Sequence, residues 1–435
     1  MAVSAPALHD ALADIAGREH VLSEPAALAA HAVDAMRPAA VVRPANAEEV
    51  GRTLALCASE RLAVVVRGRG SSLALGNPPR RLDVVLELSR LAAVRDYVPE
   101  DMVATVEAGV TLGALAAHLA PQRQMLALDP PNGEGRSVGG VLATNASGPL
   151  RFRYGTGRDL LLGARFVQAD GTLTWGGARV VKSVTGYDVP KLLVGSLGTL
   201  GVIVEATLRL HPQPPATRSW WLGFPTHDRA RAFLAALLDS PLQPDRAALI
   251  DAAGLRRAGL TAHPFAFLLS IGSVAEAVED QGQALERLAS AQGGRSQGLA
   301  ESAWTTLGQV LNGPILLRLA CEPRRLLERM AGAQAMAGRL GVEAAVVAQP
   351  GHGVAWIALS GSPAPAQVVR EVTQLRRALE PEGGSLVLER APSGLKAEAE
   401  AWGDINPEIL RIMKRLKSEF DPGDLLAPGR FVGRL

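Results

Sequence analysis

Cysteine is nearly absent from this 435-residue chain, which contains only Cys57 and Cys321. The two residues lie far apart in sequence and form no CxxC pair, so this chain alone does not provide the ligands for an iron–sulfur cluster. Rare, unpaired cysteines are typical of proteins in a reducing compartment. A large excess of charge of one sign is missing as well. The formal net charge is +2, and Lys and Arg are scattered along the chain. This balance argues against a nucleic-acid or membrane-surface partner.

Long apolar runs are also missing. No segment approaches the roughly 20 apolar residues that a membrane-spanning helix needs. The N-terminal stretch "MAVSAPALHDALADIAGREH" has acidic residues where a signal peptide would be apolar. We therefore expect a cytoplasmic protein, or one that is held at a membrane only through partner subunits.

The length and the residue pattern indicate more than one domain, since 435 residues are too many for a single core. Residues 1–35 are predicted to be helical, and residues 36–212 are rich in glycine and in short apolar strands. The stretch "HPQPPATR" indicates a linker. Residues 217–410 alternate strands with long amphipathic helices, which predicts an α+β domain with an antiparallel sheet covered by helices on one side. Residues 411–435 complete the last helix and end in a segment broken by Pro and Gly.

Three glycine-rich loops are predicted beside strands. The first, "RGRGSS" (67–72), follows the buried strand "AVVV", and its backbone N–H groups could surround a phosphate. The second is "SVGGVLATNASG" (137–148), and the third is "VGSLGTLGVIV" (194–204). One such loop is weak evidence and is more often a simple turn. Three of them fit one long ligand with a diphosphate at its middle.

The motifs "VVRGRGSS", "DPPNGEGRSVGGVLATNASG", "RYGTGRD" and "GYDVPKLLVGSLGTLGVIVEATLRL" together resemble the FAD-binding domain of the vanillyl-alcohol oxidase and p-cresol methylhydroxylase (PCMH) superfamily. Within it, "KSVTGYDVPKLLVGSLGTLG" and "FDPGDLLAPGRFVGRL" are similar to the FAD-binding subunit of bacterial glycolate oxidase, with Leu197 where glutamate is more usual. The resemblance implies an α+β fold in which a PCMH-type domain of two subdomains holds FAD and an α+β cap domain follows. It also implies that residues 411–435 return to the FAD-binding domain.

The resemblance assigns the FAD contacts residue by residue. The pyrophosphate would be wrapped by Arg67, Gly68, Arg69, Gly70, Ser71, Ser72 and Leu73. The ribityl chain and the ring would lie along Pro130, Val138, Gly139, Gly140, Thr144, Asn145 and Gly148, followed by Tyr154 and Gly155. The adenine half and the pyrophosphate would contact Gly195, Gly198, Thr199, Gly201 and Val202. Ser71 stands where a covalently linked relative has histidine, so non-covalent FAD is expected, and Ala427 replaces an asparagine near the flavin.

Oxidation of a 2-hydroxy acid requires a cation for the carboxylate and a base for the hydroxyl proton. The second domain offers Arg318 within an apolar strand, Glu389 and Arg390 at the end of another, and His352 between two glycines. These four residues are the catalytic candidates. Each of them could equally form a solvated strand end or a structural ion pair, such as Arg318 with Glu389.

No metal is expected, because the eight histidines are scattered and His352 lacks the partner histidine that metal-dependent relatives carry. The resemblance implies a homologous flavin subunit and an iron–sulfur subunit as partners, with a small 2-hydroxy acid, glycolate or D-lactate, as substrate. Two alternatives stay open. The chain could be a self-sufficient FAD-dependent oxidoreductase for another hydroxy acid or alcohol, or a degenerate flavoprotein that serves as a scaffold.

Overall fold

A computed structural model describes residues 5–178 and 187–435 of the chain. The first residues of the predicted "KSVTGYDVP" motif, 182–186, lie outside the described residues. In the described part, the helices are α1 (Ala5–Ala16), α2 (Pro25–Ala30), α3 (Ala47–Ser59), α4 (Leu112–Leu119), α5 (Val138–Thr144), α6 (Arg151–Tyr154), α7 (Gly157–Leu160), α8 (Val189–Leu193), α9 (His227–Leu238), α10 (Ala252–Arg257), α11 (Ala275–Ala291), α12 (Ser302–Val310), α13 (Leu326–Arg339), α14 (Pro365–Leu379), α15 (Ser393–Ala399) and α16 (Pro407–Phe420).

The strands form four sheets. They are β1 (Val21–Leu22), β2 (Ala40–Val42), β3 (Val64–Arg67), β4 (Val84–Glu87), β5 (Val94–Val98), β6 (Val103–Glu107), β7 (Gln124–Met125), β8 (Leu161–Val167), β9 (Leu173–Gly177), β10 (Val202–Arg209), β11 (His211–Pro212), β12 (Ala216–Phe224), β13 (Arg246–Asp251), β14 (Phe265–Ser273), β15 (Arg295–Leu299), β16 (Ile315–Ala320), β17 (Ala344–Gln349), β18 (Val354–Leu359) and β19 (Ser385–Arg390). No helix in the described ranges is long and apolar enough to cross a membrane.

The first subdomain is a small sheet in the order β1-β2-β4-β3, whose last three strands are parallel. Helix α3 begins after Asn46, whose side chain accepts a hydrogen bond from the Glu49 backbone N–H at 2.9 Å. The Glu49 carboxylate in turn accepts from the backbone N–H of Ala45. Leu8 and Leu12 of α1 pack into the same core as Val64. The N-terminal helices therefore belong to this subdomain's core.

The second subdomain is an antiparallel sheet in the order β5-β6-β10-β8-β9. Its apolar face packs against α4 and α5, with Leu115, Leu119 and Leu142 fully buried. Thr111 caps α4 by accepting from the Ala114 N–H at 3.1 Å. The carboxyl end of β3 and the amino ends of α5 and β10 meet between the two subdomains, which is where the three glycine-rich loops lie.

The cap domain is an eight-stranded antiparallel sheet in the order β15-β12-β14-β13-β17-β18-β16-β19. It consists of two halves with the same internal strand order and a βαββαβ outline, to which the first half adds the short α10 between β13 and β14. The second strand of each half, β13 and β17, pairs at the seam. The sequence shows no repeat of identical residues, so this duplication is visible only in the fold. The α+β class with an antiparallel second sheet is confirmed.

Helices cover both faces of the cap sheet, not one face as expected. Trp220 belongs to the core that α9, α11, α13 and α14 cover on one side, while its neighbour Trp221 belongs to the core with Leu255 and Leu307 on the other. The second layer consists of α10 and α12. These helices are short, at six and nine residues, and their apolar faces are narrow. The spacing of apolar residues in the sequence therefore did not show which face of the sheet α10 and α12 would cover.

The C-terminal segment lies against the first subdomain. The Val64 N–H donates to the Leu425 carbonyl and the Ala427 N–H donates to the Val64 carbonyl, each at 2.8 Å. Leu426 is fully buried in that subdomain's core. The buried Lys417 of α16 donates to the Asp421 carboxylate at 2.6 Å and to the Thr199 carbonyl at 2.9 Å. The segment thus extends the small sheet and brings Arg430 toward the glycine loops.

Candidate functional site

The loop after β3 presents a row of unused backbone donors. In the described structure, none of the N–H groups of residues 68–72 donates a hydrogen bond to a protein acceptor. Gly70 has φ +79°, a backbone conformation that residues other than glycine rarely adopt. The Arg67 side chain turns back beneath the loop, where it donates to the Ala30 carbonyl at 3.1 Å and lies near Glu87. Consecutive free N–H groups in such a turn form a binding site for an anion.

Close approach to α5 explains the first glycine of this loop. A Cβ on Gly68 would overlap the hydroxyl of Ser137, and one on Gly139 would lie 2.7 Å from the Ala108 Cβ. Ser137 caps α5 by accepting from the Gly140 N–H at 3.3 Å. The glycines therefore bring the walls of a cleft together, in addition to leaving room for a ligand.

The cleft lies between the two subdomains. Of the predicted cofactor residues, those that line it are Arg67, Gly68, Arg69, Gly70, Ser71, Ser72, Leu73, Gly139, Gly140, Thr144, Gly198, Gly201 and Val202. Further lining residues that the sequence did not single out include Leu75, Leu88, Ala108, Ser137, Ala143, Ser196 and Arg430. Leu197 also lines the cleft and has φ +56°. All three glycine-rich loops contribute to this one cleft.

Arg430 is the main functional residue that sequence reasoning missed. It is 3% exposed, and its Nη2 donates to the carbonyls of Leu73 and Leu75 at 2.7 and 2.6 Å. Its Nη1 makes no hydrogen bond and lies 3.7 Å from the Asp34 carboxylate. Burial lowers the pKa of Arg430 to about 10. Arg430 lies three residues after Ala427, where this chain departs from the family pattern. That nearby departure was the only feature of the sequence that pointed toward Arg430.

The remaining predicted cofactor residues lie outside this cleft. Val138 is buried in the core of the second subdomain, and Pro130 is buried nearby. Gly148 packs against the Asp129 carbonyl and accepts a hydrogen bond from Gln349 at 2.9 Å. The Tyr154 ring meets the His211 ring at a tilt, with centroids 4.8 Å apart, and Gly155 ends α6 with φ +80°. Gly195 and Thr199 line a separate depression beside α16, and Asn145 lines the cavity described next.

A second cavity of about 390 Å³ adjoins the cleft. The two share the side chains of Ser71, Ser72, Leu75 and Thr144 as a common wall. One side of the cavity comes from the FAD-binding half, including Asn132, Asn145 and Ser147, and the other from the cap sheet and α12. A ligand in this cavity therefore lies directly beside a ligand in the cleft.

Four arginines and one glutamate line this cavity, namely Arg136, Arg151, Arg318, Arg390 and Glu389. Arg318 alternates with Leu317 and Leu319, which are fully buried on the other face of the sheet. Because successive side chains of a strand point to opposite faces, the Arg318 side chain points toward the cavity. Its Nε lies 2.9 Å from the Glu389 carboxylate, which also accepts from the Trp356 indole at 3.2 Å. Arg318 thus forms the ion pair with Glu389 that the sequence analysis considered.

Arg136 makes its hydrogen bonds to uncharged groups. Arg136 donates to the Pro131 carbonyl at 2.8 Å and to the Ser72 hydroxyl at 3.0 Å. Burial lowers the pKa of Arg136, and the nearby Glu389 charge partly offsets that effect. Burial also lowers the pKa of Arg151, and the positive charge of Arg318 lowers it further, while the Asp159 carboxylate partly offsets both effects. The cavity is therefore suited to an anion.

His352 is the catalytic candidate that the structure separates from the rest. It lies in neither the cleft nor the cavity, and its ring meets Phe152 edge-on with centroids 6.4 Å apart. Burial and the charge of Arg151 lower its pKa. Among the described residues, no three His, Cys, Asp or Glu side chains are grouped to hold a metal.

The cleft fits FAD on its own geometry. The loop 68–72, with its unused backbone N–H groups, lines the cleft and could bind a pyrophosphate, and the buried, partly unpaired Arg430 supplies a cation. Three separate loops line the cleft.

Comparisons with known proteins also indicate that the chain binds FAD. Residues 38–177 match the model of a family described as an FAD binding domain. The mitochondrial D-lactate dehydrogenase [cytochrome] of Arabidopsis thaliana is 28% identical over 421 residues, covering 91% of this chain and 73% of that protein. Glycolate oxidase subunit GlcD of Bacillus subtilis is 29% identical over 214 residues, covering 49% of this chain and 46% of that protein.

The fold of the chain also matches that of a known structure. The structure of p-cresol methylhydroxylase with bound substrate superposes with a TM-score of 0.80 at 16% identity, covering 97% of this chain and 96% of that one. The cofactor of this chain is FAD. Residues 38–177 form an FAD binding domain, the chain is an FAD-dependent oxidoreductase similar to D-lactate dehydrogenases and to a glycolate oxidase subunit, and its fold is that of p-cresol methylhydroxylase.

Proposed function

We propose that this chain oxidises a 2-hydroxy carboxylic acid to the 2-oxo acid in the arginine-lined cavity. The observation that carries the proposal is the common wall of Ser71, Ser72, Leu75 and Thr144, which puts an anion-binding cavity directly beside the FAD cleft. The relatives' names, D-lactate dehydrogenase and glycolate oxidase subunit, support substrates of this class.

The residues of the cavity have distinct roles in this proposal. FAD, when bound, supplies the acceptor for the hydride that leaves the substrate carbon. Arg136 holds the substrate carboxylate, since its bond to the Ser72 hydroxyl fixes it at the common wall. Glu389 accepts the hydroxyl proton as the carbonyl forms, because it is the sole carboxylate among the side chains that line the described cavity. Arg318 and Trp356 orient that carboxylate.

FAD is held without a covalent bond in this proposal. Ser71 lies in the first loop and lines the cleft where a linking histidine would be needed, and a hydroxyl does not form that link. The backbone N–H groups of residues 68–72 and Arg430 then provide the binding. Acid precipitation of the protein should release all the flavin into the supernatant, and flavin that stays in the pellet would contradict this point.

We further propose that the chain works as a subunit of a glycolate oxidase complex, with a homologous flavin subunit and an iron–sulfur subunit. The similarity to a protein named as a glycolate oxidase subunit and the family-like C-terminal tail support this assignment. The chain's two free cysteines are far too few for a cluster of its own, so electrons that leave the flavin need an external acceptor.

The test is anaerobic mixing of the purified, FAD-loaded chain with glycolate or D-lactate. Bleaching of the flavin absorbance, lost in Glu389→Gln and Arg136→Gln with FAD retained, is the expected result. A yellow protein that neither acid bleaches would contradict oxidation by this chain. Co-purification from the native host followed by mass spectrometry then tests the complex, and recovery of the chain alone would count against it.

A further inference from the structure

We propose that Lys396 of the cap domain is a positioning residue for FAD, because it holds the Asp34 carboxylate and so leaves the Arg430 guanidinium available to the diphosphate. The inference rests on the proposed binding of FAD through Arg430, and it adds the two side chains that control this cation. It is carried by the burial, the contacts and the charges of three side chains that come from distant parts of the chain.

The three charged side chains form one buried cluster. Lys396 on α15 is fully buried, the Asp34 side chain is 6% exposed, and Arg430 in the C-terminal segment is 3% exposed. Lysines are almost never fully buried unless they are paired, since a charge loses its hydration in the interior. Two cations share one carboxylate here, so the cluster carries a formal charge of +1.

Lys396 uses the whole hydrogen-bonding capacity of its ammonium group. Its Nζ forms an ion pair with Asp34 and donates to the carbonyls of Ala74 and Gly76 at 2.9 and 3.2 Å. An ammonium has three donors, and these three partners satisfy all of them. Lys396 is not among the described residues that line the FAD cleft, so its charge does not face the ligand directly. Its contacts hold Asp34 and the backbone of residues 74–76.

Arg430 lacks a full set of partners. Its Nη2 donates to the Leu73 and Leu75 carbonyls, but its Nη1 makes no hydrogen bond within the described part of the chain. The Asp34 Oδ2 lies 3.7 Å from this Nη1 and likewise makes no hydrogen bond to a described residue. Arg430 lines the FAD cleft, and the diphosphate is the part of oxidised FAD that carries negative charge. The Nη1 side of the guanidinium is therefore available to that anion.

Competition for Asp34 decides whether Arg430 stays available. Burial lowers the pKa of Lys396, the Asp34 carboxylate offsets part of that effect, and the Arg430 charge lowers the pKa further. Each cation therefore acts on the other through the carboxylate between them. Without the Lys396 charge, Asp34 would be attracted by Arg430 alone, and closing the 3.7 Å gap would complete a second ion pair. That pair would neutralise the cation that the diphosphate needs.

The same two cations also hold the chain next to the anion-binding loop. Arg430 binds the carbonyls of residues 73 and 75, and Lys396 binds those of residues 74 and 76. These four residues directly follow the loop 68–72, whose unused N–H groups line the cleft. The cap domain therefore reaches the FAD loop through Lys396.

The first test measures the affinity of the full chain, prepared without FAD, for added FAD by flavin fluorescence. Lys396→Met keeps the length of the side chain and removes its charge, so we expect FAD to bind about tenfold more weakly. Asp34→Asn removes the competing carboxylate, so FAD should bind several times more tightly, although two buried cations make the FAD-free protein less stable. A cluster that is only structural would weaken FAD binding in both variants.

The double variant Asp34→Asn/Lys396→Met separates charge from packing. Its cluster returns to a formal charge of +1, carried by Arg430 alone, so its FAD affinity should lie close to that of the wild type and above that of Lys396→Met. ADP carries the diphosphate without the flavin ring and should follow the same order. Lys414→Met, at an exposed position on α16, is the matched control for loss of a lysine. Melting temperatures show that each variant is folded.

Arg430→Gln separates this inference from the binding on which it rests. An unchanged FAD affinity in Arg430→Gln would show that the proposed binding through Arg430 is wrong. If Arg430→Gln binds FAD about tenfold more weakly, but Lys396→Met and Asp34→Asn both weaken it in step with their melting temperatures, binding through Arg430 stands and the positioning role of Lys396 is wrong. If Asp34→Asn does not fold, a double variant that binds FAD or ADP no better than Lys396→Met overturns the inference.

Discussion

The FAD cleft and the cavity beside it are made from different chemical parts of the polypeptide. The cleft is lined by three short glycine-rich loops, the first of which offers unused backbone N–H groups. The cavity uses side chains from β16, β18, β19 and the α12 region, together with three segments of the FAD-binding half. A backbone site depends on loop shape, so it tolerates few substitutions and shows itself in local sequence. A side-chain site depends on where distant strands and loops meet, so its residues show no local pattern.

The largest expected effect concerns the loop geometry of the cleft. In Gly68→Ala the new methyl group would overlap the Ser137 hydroxyl and push the loop away from α5. We expect FAD occupancy to fall at least about tenfold, measured by absorbance of the purified protein. The double variant Gly68→Ala/Ser137→Ala should regain part of the FAD, since the nearest remaining atom, the Ser137 Cβ, is 3.2 Å away.

Ser137→Ala alone is the control for loss of the α5 cap. If Gly68→Ala binds FAD normally, the cleft does not depend on this close approach, and the contrast between the two sites would lose its basis.

A buried carboxylate at the seam of the cap sheet should affect stability and not FAD. Asp251 is 1% exposed and accepts from the Gly254 and Val346 N–H groups at 2.8 and 2.9 Å through one oxygen. Its other oxygen accepts from Gln334. Asp251→Ala leaves these donors unsatisfied and should cost about 2–4 kcal/mol of unfolding free energy, measured by denaturant titration.

Asp251→Asn is the matched variant, because its amide oxygen can keep the two backbone bonds. It should cost less than half as much as alanine. An FAD content per folded molecule that falls with Asp251→Ala would show that the seam of the cap sheet and the cleft are not independent.

The Arg318–Glu389 pair should affect turnover more than stability. Arg318 is about one third exposed, so its pairing contributes only about 1 kcal/mol or less. In Arg318→Lys the ammonium cannot reproduce the guanidinium geometry that orients Glu389. We expect normal FAD content, a melting temperature within a few degrees of the wild type and a lower flavin reduction rate in stopped-flow experiments. Unchanged reduction with a clear loss of stability would make the pair structural only.

The smallest effect is expected at the cap of α3, away from both sites. Asn46→Ala removes the bond to the Glu49 N–H and should cost about 1 kcal/mol, seen as a small shift in the thermal midpoint. Asn46→Ser should restore most of it. FAD content and acid binding should be unchanged, and a change in either would show that α3 transmits strain to the cleft.

The sequence by itself determined much of the FAD half. Val64–Val66, followed by Gly68 and Gly70, predicts a strand that ends in an anion-binding loop, because strand propensity and positive φ are local properties. The caps of α3 by Asn46 and of α4 by Thr111 are local in the same way, since each side chain bonds to a backbone N–H three residues on. The α+β class and the antiparallel cap sheet also follow from local periodicity.

Only the tertiary structure decided how distant residues meet. Arg430 reaches the cleft because the tail pairs with β3, more than 350 residues earlier than the arginine in sequence. Arg136 and Arg151 were not singled out, yet they meet Arg318 and Arg390 across the junction of the two halves, while His352, which was, lies outside. The duplicated βαββαβ cap was equally invisible. These facts depend on long-range packing, and no short window of sequence encodes the distance between two side chains on different domains.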